Sequence, residues 1–299
     1  MSAPAGIATG RSRVIGIGLV LLGGSCLSIS GIVVRHVEQA SGWQVMFYRS
    51  IGMAAILLLI LAVKERGRIA GPFRAMGRGG IIVACVLTAS SIAYLFSLML
   101  TSIANAMFII SSAPFFAAIM GWILLRERVQ ALTWIAIAAA MMGMGVMFAD
   151  GFAAGRPLGL FVALVAASTY AFVVVMLRRF RDLDMLPALV LAAVLAGIIS
   201  AFAADGLAVS THDMLLGLFM GAVQTAGGFG FIMLGTRRVP AAEASLLLLS
   251  EPILGPTWVW IFVNEVPSAV ALAGGVIVLG AVLVQAVASV LRERSAAPA

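Results

Sequence analysis

The chain has 299 residues, of which 63% are hydrophobic and 10% charged, and a formal net charge of +7. A soluble domain carries about 25% charged residues, so this composition excludes a water-facing globular chain and leaves one whose surface meets lipid. The basic excess does not point to nucleic acid, because the cations sit in short links between apolar runs rather than on one face or tail.

In chain order, Arg11 and Arg13 precede an apolar stretch starting at Val14. It is long enough to span and has no A-x-A-like exit, so it reads as a retained first helix rather than a cleaved signal. Crossing ~30 Å of hydrocarbon takes roughly 20 apolar residues. Ten runs qualify: 14–34, 43–63, 80–100, 104–125, 131–149, 158–177, 185–204, 213–235, 242–263 and 267–290. Their links are short, and none holds a soluble domain. The longest, Lys64 to Gly79, carries Lys64, Arg66, Arg68, Arg74 and Arg78.

With the N-terminus in the cytoplasm, the inside segments hold those five cations with Arg11, Arg13, Arg126, Arg128, Arg178, Arg179, Arg181, Arg237, Arg238, Arg292 and Arg294. That is 16 of the 19 Lys/Arg; the outside loops hold only Arg35 and Arg156, and Arg49 lies within a helix. This bias sets orientation and checks the helix count, since one missed helix would invert every later loop. The expected fold is an all-α membrane protein of ten transmembrane helices, multi-pass in the cell inner (cytoplasmic) membrane, with both termini cytoplasmic. Cys26 and Cys85 fall inside apolar runs, so neither a disulfide framework nor a metal site is implied. His36 and His212 lie outside the runs and read as solvated loop residues. No cofactor is expected.

The chain repeats itself. Ser102 to Met147 aligns without gaps on Pro240 to Gln285 at a shift of 138, setting Ala104 on Ala242, Ala106 on Ala244, Pro114 on Pro252, Trp122 on Trp260 and Glu127 on Glu265. A fainter match at a shift of 143 sets Ser25 on Ser168 and Arg35 on Arg178. Two five-helix repeats follow, 14–149 and 158–290. Because five is odd, the second enters the membrane inverted, the arrangement of secondary transporters whose substrate sits near midplane between the halves.

These residues resemble the EamA-type ten-helix permeases of the drug/metabolite transporter superfamily. The resemblance rests on the A-x-A…P…E pattern closing each half, on Arg49 after Tyr48 in the second helix, and on Tyr94 in the third. It covers residues 14–290 and is specific for family, not for substrate. It implies a secondary transporter that exports amino acids, including aromatic ones, or related small metabolites by alternating access; the alternative is export of drugs or cationic compounds. One departure, Ile232 where the first half has Tyr94, implies an asymmetric site.

Pro114 and Pro252 lie ten residues into their helices, ~15 Å deep, where a proline frees a backbone carbonyl that must find a partner or line a cavity. Paired interruptions of this kind point to a transporter site, against the plainer reading of packing kinks. Glu251 is the one acid deep in an apolar run. It either accepts a proton or pairs with a substrate amine, or it hydrogen-bonds a neighbouring helix while neutral. Arg49 is a candidate for a carboxylate, against snorkelling or tying helices together. Ser90, Tyr94 and Ser97 share one face of the third helix, and Gln224, Gly228 and Phe231 one face of the eighth. Ser25, Ser28, Ser111, Ser168, Tyr170 and Ser245 complete the substrate-binding candidates, with helix packing as the alternative for each serine. Gly217 and Gly221 form a packing GxxxG pair, and Trp122 and Trp260 read as interfacial anchors.

The single lysine, Lys64, has no G-x-x-x-x-G before it, so there is no phosphate loop for ATP; movement is facilitated or gradient-driven. A membrane-embedded lipid-modifying enzyme needs clustered catalytic groups, which the sequence lacks, and a scaffold subunit does not need paired midplane prolines. The expected protein is therefore not an enzyme. Its partners are a small-molecule substrate and the lipid bilayer, not nucleic acid, and it is a monomer or weak oligomer.

Overall fold

The computed structural model describes residues 10–127, 129–153, 155–180 and 184–296. Arg128 and Arg181 lie outside the described residues. Every regular element among those described is helical. Among the described residues ten helices are long and apolar enough to span a bilayer: α1 (Ser12–Arg35), α2 (Gly42–Lys64), α3 (Gly77–Leu100), α4 (Ile103–Leu125), α5 (Ala131–Phe152), α6 (Pro157–Arg179), α7 (Leu186–Ala203), α8 (Thr211–Thr236), α9 (Glu243–Val263) and α10 (Ala269–Ala288). Their outer faces carry exposed Val63, Ile135, Phe202, Val276 and Phe262. A surface this apolar is tolerable in lipid and not in water, and the chain is a multi-pass membrane protein. Trp122 and Trp260 are both half-exposed on that outer surface. The long basic link folds into a short helix, Ala70–Ala75, whose Phe73 packs against the interior clusters.

Local signals set several helix starts. Ser41 and Gln44 form a capping box at α2; Ser102 accepts from the Asn105 N–H at α4, and Ser210 from the Asp213 N–H at α8. The closest helix pairs are α1 with α8, α3 with α6, α2 with α8, α5 with α10, α2 with α7, α1 with α9, α4 with α6 and α3 with α7. Each pair takes one helix from either half, and adding five to every helix number maps the set onto itself.

Polar contacts sort the helix ends onto two faces. On the first, Tyr48 Oη donates to the Leu207 carbonyl at 2.8 Å, Ser268 to Asp150 at 2.6 Å, and Arg35 pairs with Glu265. There too the carboxylate of Asp213 accepts the backbone N–H groups of Glu38, Gln39 and Ala40 at 3.0–3.1 Å. On the second face, Arg13 pairs with Glu243, Lys64 with Asp184, and Arg178 with Glu127.

Helices α2 and α8 cross on glycine. A Cβ at Gly217 would stand 2.7 Å from Tyr48 Cβ, and one at Gly221 would collide with the Arg49 carbonyl oxygen and lie 2.6 Å from the Met53 nitrogen. Backbone atoms cannot swing aside as side chains do. Gly221→Ala is therefore expected to cost roughly 1–3 kcal/mol of stability, read as a lower melting temperature in detergent. Gly230→Ala, which meets open space, should leave it unchanged.

Candidate functional site

Three spans break near their middles. α1 is interrupted at Ile29, α4 at Ser111–Ser112 and α9 at Leu249. In α4 the cause is local: Pro114 has no N–H and crowds the preceding turn. The hydroxyls of Ser111 and Ser112 donate to the carbonyls of Phe108 and Ile109 at 2.7 and 2.5 Å, supplying partners where lipid supplies none. In α9, Pro252 follows the break and Pro256 lies inside the helix beyond it. The breaks at Ser111 and Leu249 are 138 residues apart, as are the left-handed residues Arg126 and Asn264 that end α4 and α9.

The broken helices wall a cavity of about 1050 Å³ formed by residues of both halves. It runs from Arg49, Tyr94 and Glu251 in the interior to Glu127, Gln130 and Arg178 at the second face. Arg35 and Glu265, at the first face, are not on its wall. Of the candidate residues, Arg49, Ser90, Tyr94, Ser111, Pro114, Tyr170, Gln224, Ser245, Glu251 and Pro252 line it.

Arg49 is 4% exposed and does not snorkel. Its guanidinium donates to Ser91 Oγ at 2.6 Å and Thr225 Oγ1 at 3.2 Å, while its Nε is buried without a hydrogen-bond partner among the described residues. Thr225 passes the link on to Gln224 Oε1 at 2.8 Å, and Gln224 Nε2 donates to the Leu27 carbonyl at 3.0 Å. One chain of bonds thus joins α2, α3, α8 and α1 around the arginine. Tyr94 shares a 2.7 Å hydrogen bond with buried Ser30 and lies within electrostatic reach of both Arg49 and Glu251; Tyr170 lies within reach of Glu251.

Four candidates stand off the cavity wall. Ser28 is fully buried, donating to the Ser25 carbonyl at 2.7 Å and accepting from Trp258 Nε1 at 3.0 Å, so it ties α1 to α9. Ser25 supplies that carbonyl, and α1 faces the cavity through Leu27 instead. Ser168 spends its hydroxyl on the Leu164 carbonyl of its own helix at 2.8 Å. Phe231 misses because α8 contains a π-helical segment, Met220–Gly227. The wider turn rotates everything after it, bringing Phe229, Ile232 and Met233 to the wall. Ser97, on the expected α3 stripe, is buried and bonds the Tyr94 carbonyl.

Sequence reasoning missed Ser91, Thr225 and Ser30. Ser91 and Thr225 each neighbour a residue that it did single out, and a buried guanidinium requires acceptors from facing helices. That requirement is the signal that finds them.

Ten spans around a largely apolar cavity that carries Arg49 and Glu251, with broken helices on its wall, define a protein of the membrane-transporter class. The chain belongs to the EamA-like transporter family, which matches residues 14–149 and 157–286; family membership agrees with the resemblance to the drug/metabolite transporter superfamily. A solved crystal structure is similar at 19% identity, covering 96% of this chain and 99% of its own, with a TM-score of 0.61. At that identity the likeness speaks for the fold alone. No curated protein sequence matches significantly.

Proposed function

We propose that the protein is a secondary transporter that exports amino acids or related small metabolites across the inner membrane by alternating access. In this reading residues 14–149 and 158–290 are two inverted five-helix repeats, and both termini are cytoplasmic. The helix-pair pattern that maps onto itself by a shift of five supports the repeat. The orientation rests on the cation split, and the cavity mouth at Arg178 lies on the cation-rich face.

One observation carries the substrate chemistry. The cavity wall holds a buried guanidinium whose Nε has no hydrogen-bond partner among the described residues, suited to a carboxylate. Glu251 on the same wall suits an ammonium, and the apolar and tyrosyl remainder suits a side chain. The presence of Glu251 also keeps a second reading, export of cationic compounds, which needs Glu251 and not Arg49.

Reconstitution into liposomes tests both. Saturable, counterflow-capable flux of a labelled amino acid is expected; flux of cationic drugs alone would favour the second reading, and turnover of a lipid with no flux would overturn both. Glu251→Gln is expected to flatten the pH dependence of flux. An unchanged pH profile would remove Glu251 from coupling.

A further inference from the structure

The two ion pairs at the ends of α4 and α9 occupy corresponding places and differ in one respect. Arg35 ends α1 and Arg178 closes α6, matched at a shift of 143; Glu265 follows α9 and Glu127 follows α4, matched at a shift of 138. Both glutamates come after a left-handed residue, and both return a backbone N–H to the helix they leave, Glu127 to Gly121 and Glu265 to Val259. Each pair joins the two halves, and the pairs lie on opposite faces.

The pair on the first face is fully engaged. Arg35 Nε donates to Glu265 at 2.6 Å, and its other nitrogens to the carbonyls of Leu98 and Thr101 at 3.0 and 2.9 Å. The second oxygen of Glu265 accepts the Ile103 N–H at 2.9 Å. α1, the α3–α4 corner and α9 are thereby bound together, and none of these groups lines the cavity beneath them. The pair on the second face is slack. Among the described residues Arg178 makes one side-chain contact, to Glu127 at 3.2 Å, and both groups are about half exposed on the rim of the open cavity.

We infer that these pairs are the two alternating gates of the transport cycle, the Arg35–Glu265 latch holding the first face shut in this state and the Arg178–Glu127 pair forming the equivalent latch when the second face closes. The inference rests on the alternating-access reading. Equivalence of position states what the closing latch contacts. Shifted by 138, Leu98 and Thr101 become Thr236 and Val239, and Ile103 becomes Ala241. In the alternate state Arg178 donates to the carbonyls of Thr236 and Val239, and Glu127 accepts the Ala241 N–H. Thr236 already stands on the cavity wall with Arg178, so closure is a local approach of α6 to the α8–α9 corner. A contact made in one state alone shifts the equilibrium; one made equally in both does not.

The test is accessibility rather than flux. Ile110, on the cavity wall, is replaced by cysteine in a background with Cys26 and Cys85 changed to alanine. It is then labelled with a membrane-impermeant maleimide in right-side-out and inside-out vesicles. The parent is expected to label from the Arg178 face. Glu265→Gln should raise labelling from the Arg35 face about tenfold, a loss of one state-specific charged contact, and Glu127→Gln should lower it. Arg35→Lys, which keeps the charge and loses the two carbonyl bonds, should open that face to an intermediate degree and serves if Glu265→Gln does not fold. Glu265→Gln and Glu127→Gln moving the labelling in the same direction, or Glu265→Gln leaving the Arg35 face sealed, overturns the inference. The proposed function can fail separately: shifted labelling with no carried solute leaves the gates standing and removes the substrate assignment.

Discussion

Arg49→Ala is expected to reduce solute flux by roughly 10- to 150-fold, the factor that 1.5–3 kcal/mol for a charged hydrogen bond represents. Arg49 is the buried guanidinium on the cavity wall, and its Nε has no hydrogen-bond partner among the described residues. A substrate carboxylate would complete it. The same side chain also holds Ser91 and Thr225, so truncation will lower the melting temperature somewhat, and the alanine variant alone does not separate binding from architecture. Arg49→Lys does. Lysine keeps the charge but is a single point donor, and it cannot hold two hydroxyls on different helices while presenting a further N–H to a ligand. The expected pattern for Arg49→Lys is a near-normal melting temperature with an apparent KM raised about tenfold or more. Unchanged flux in Arg49→Ala would remove the residue from the substrate site.

Asp213→Ala is expected to be the most damaging single change outside the cavity. This carboxylate is 1% exposed and accepts three successive backbone N–H groups from the α1–α2 link. Its own N–H is held by Ser210. Helices α1 and α2 are thus anchored to the start of α8. Alanine leaves three donors without that acceptor, an expected loss of about 3–5 kcal/mol, in the range of broken buried networks. Asp213→Asn keeps the shape but turns an amide N–H toward a donor, and is expected to fall between alanine and the parent. Thermal unfolding in detergent checks the order; equal melting temperatures for parent and Asp213→Ala would show that the link is held by other contacts.

How far the sequence reaches can be followed through particular residues. The ten spans fall within a few residues of the expected bounds, because a membrane helix must satisfy its own backbone and so announces itself by apolar length alone. Pro114 and Pro252 are legible for the same reason: a missing N–H at depth has to be dealt with. Serines are legible only in part: Ser90, Ser111 and Ser245 do reach the cavity wall. Ser28, Ser97 and Ser168 look like cavity groups on a helical wheel, yet each satisfies its hydroxyl on backbone carbonyls nearby. Phe231 was placed by a 3.6-residue period that α8 abandons at Met220–Gly227, and no apolar pattern records an i→i+5 turn.

The sequence by itself determines the class of solvent, the number of crossings and the family, because each is written in composition, charge placement and an offset between like residues. It also raises Arg49 and Glu251 as candidates, since an ionisable group at that depth needs a reason. Only the tertiary structure decided that Arg49 is enclosed rather than snorkelling, with Ser91 and Thr225 as its partners, and that the cavity opens on one face. It also set Arg35 against Glu265 and Arg178 against Glu127. Those facts depend on which helices face one another across 42 to 230 residues of chain, and long-range pairing of this kind leaves no local trace in the order of amino acids.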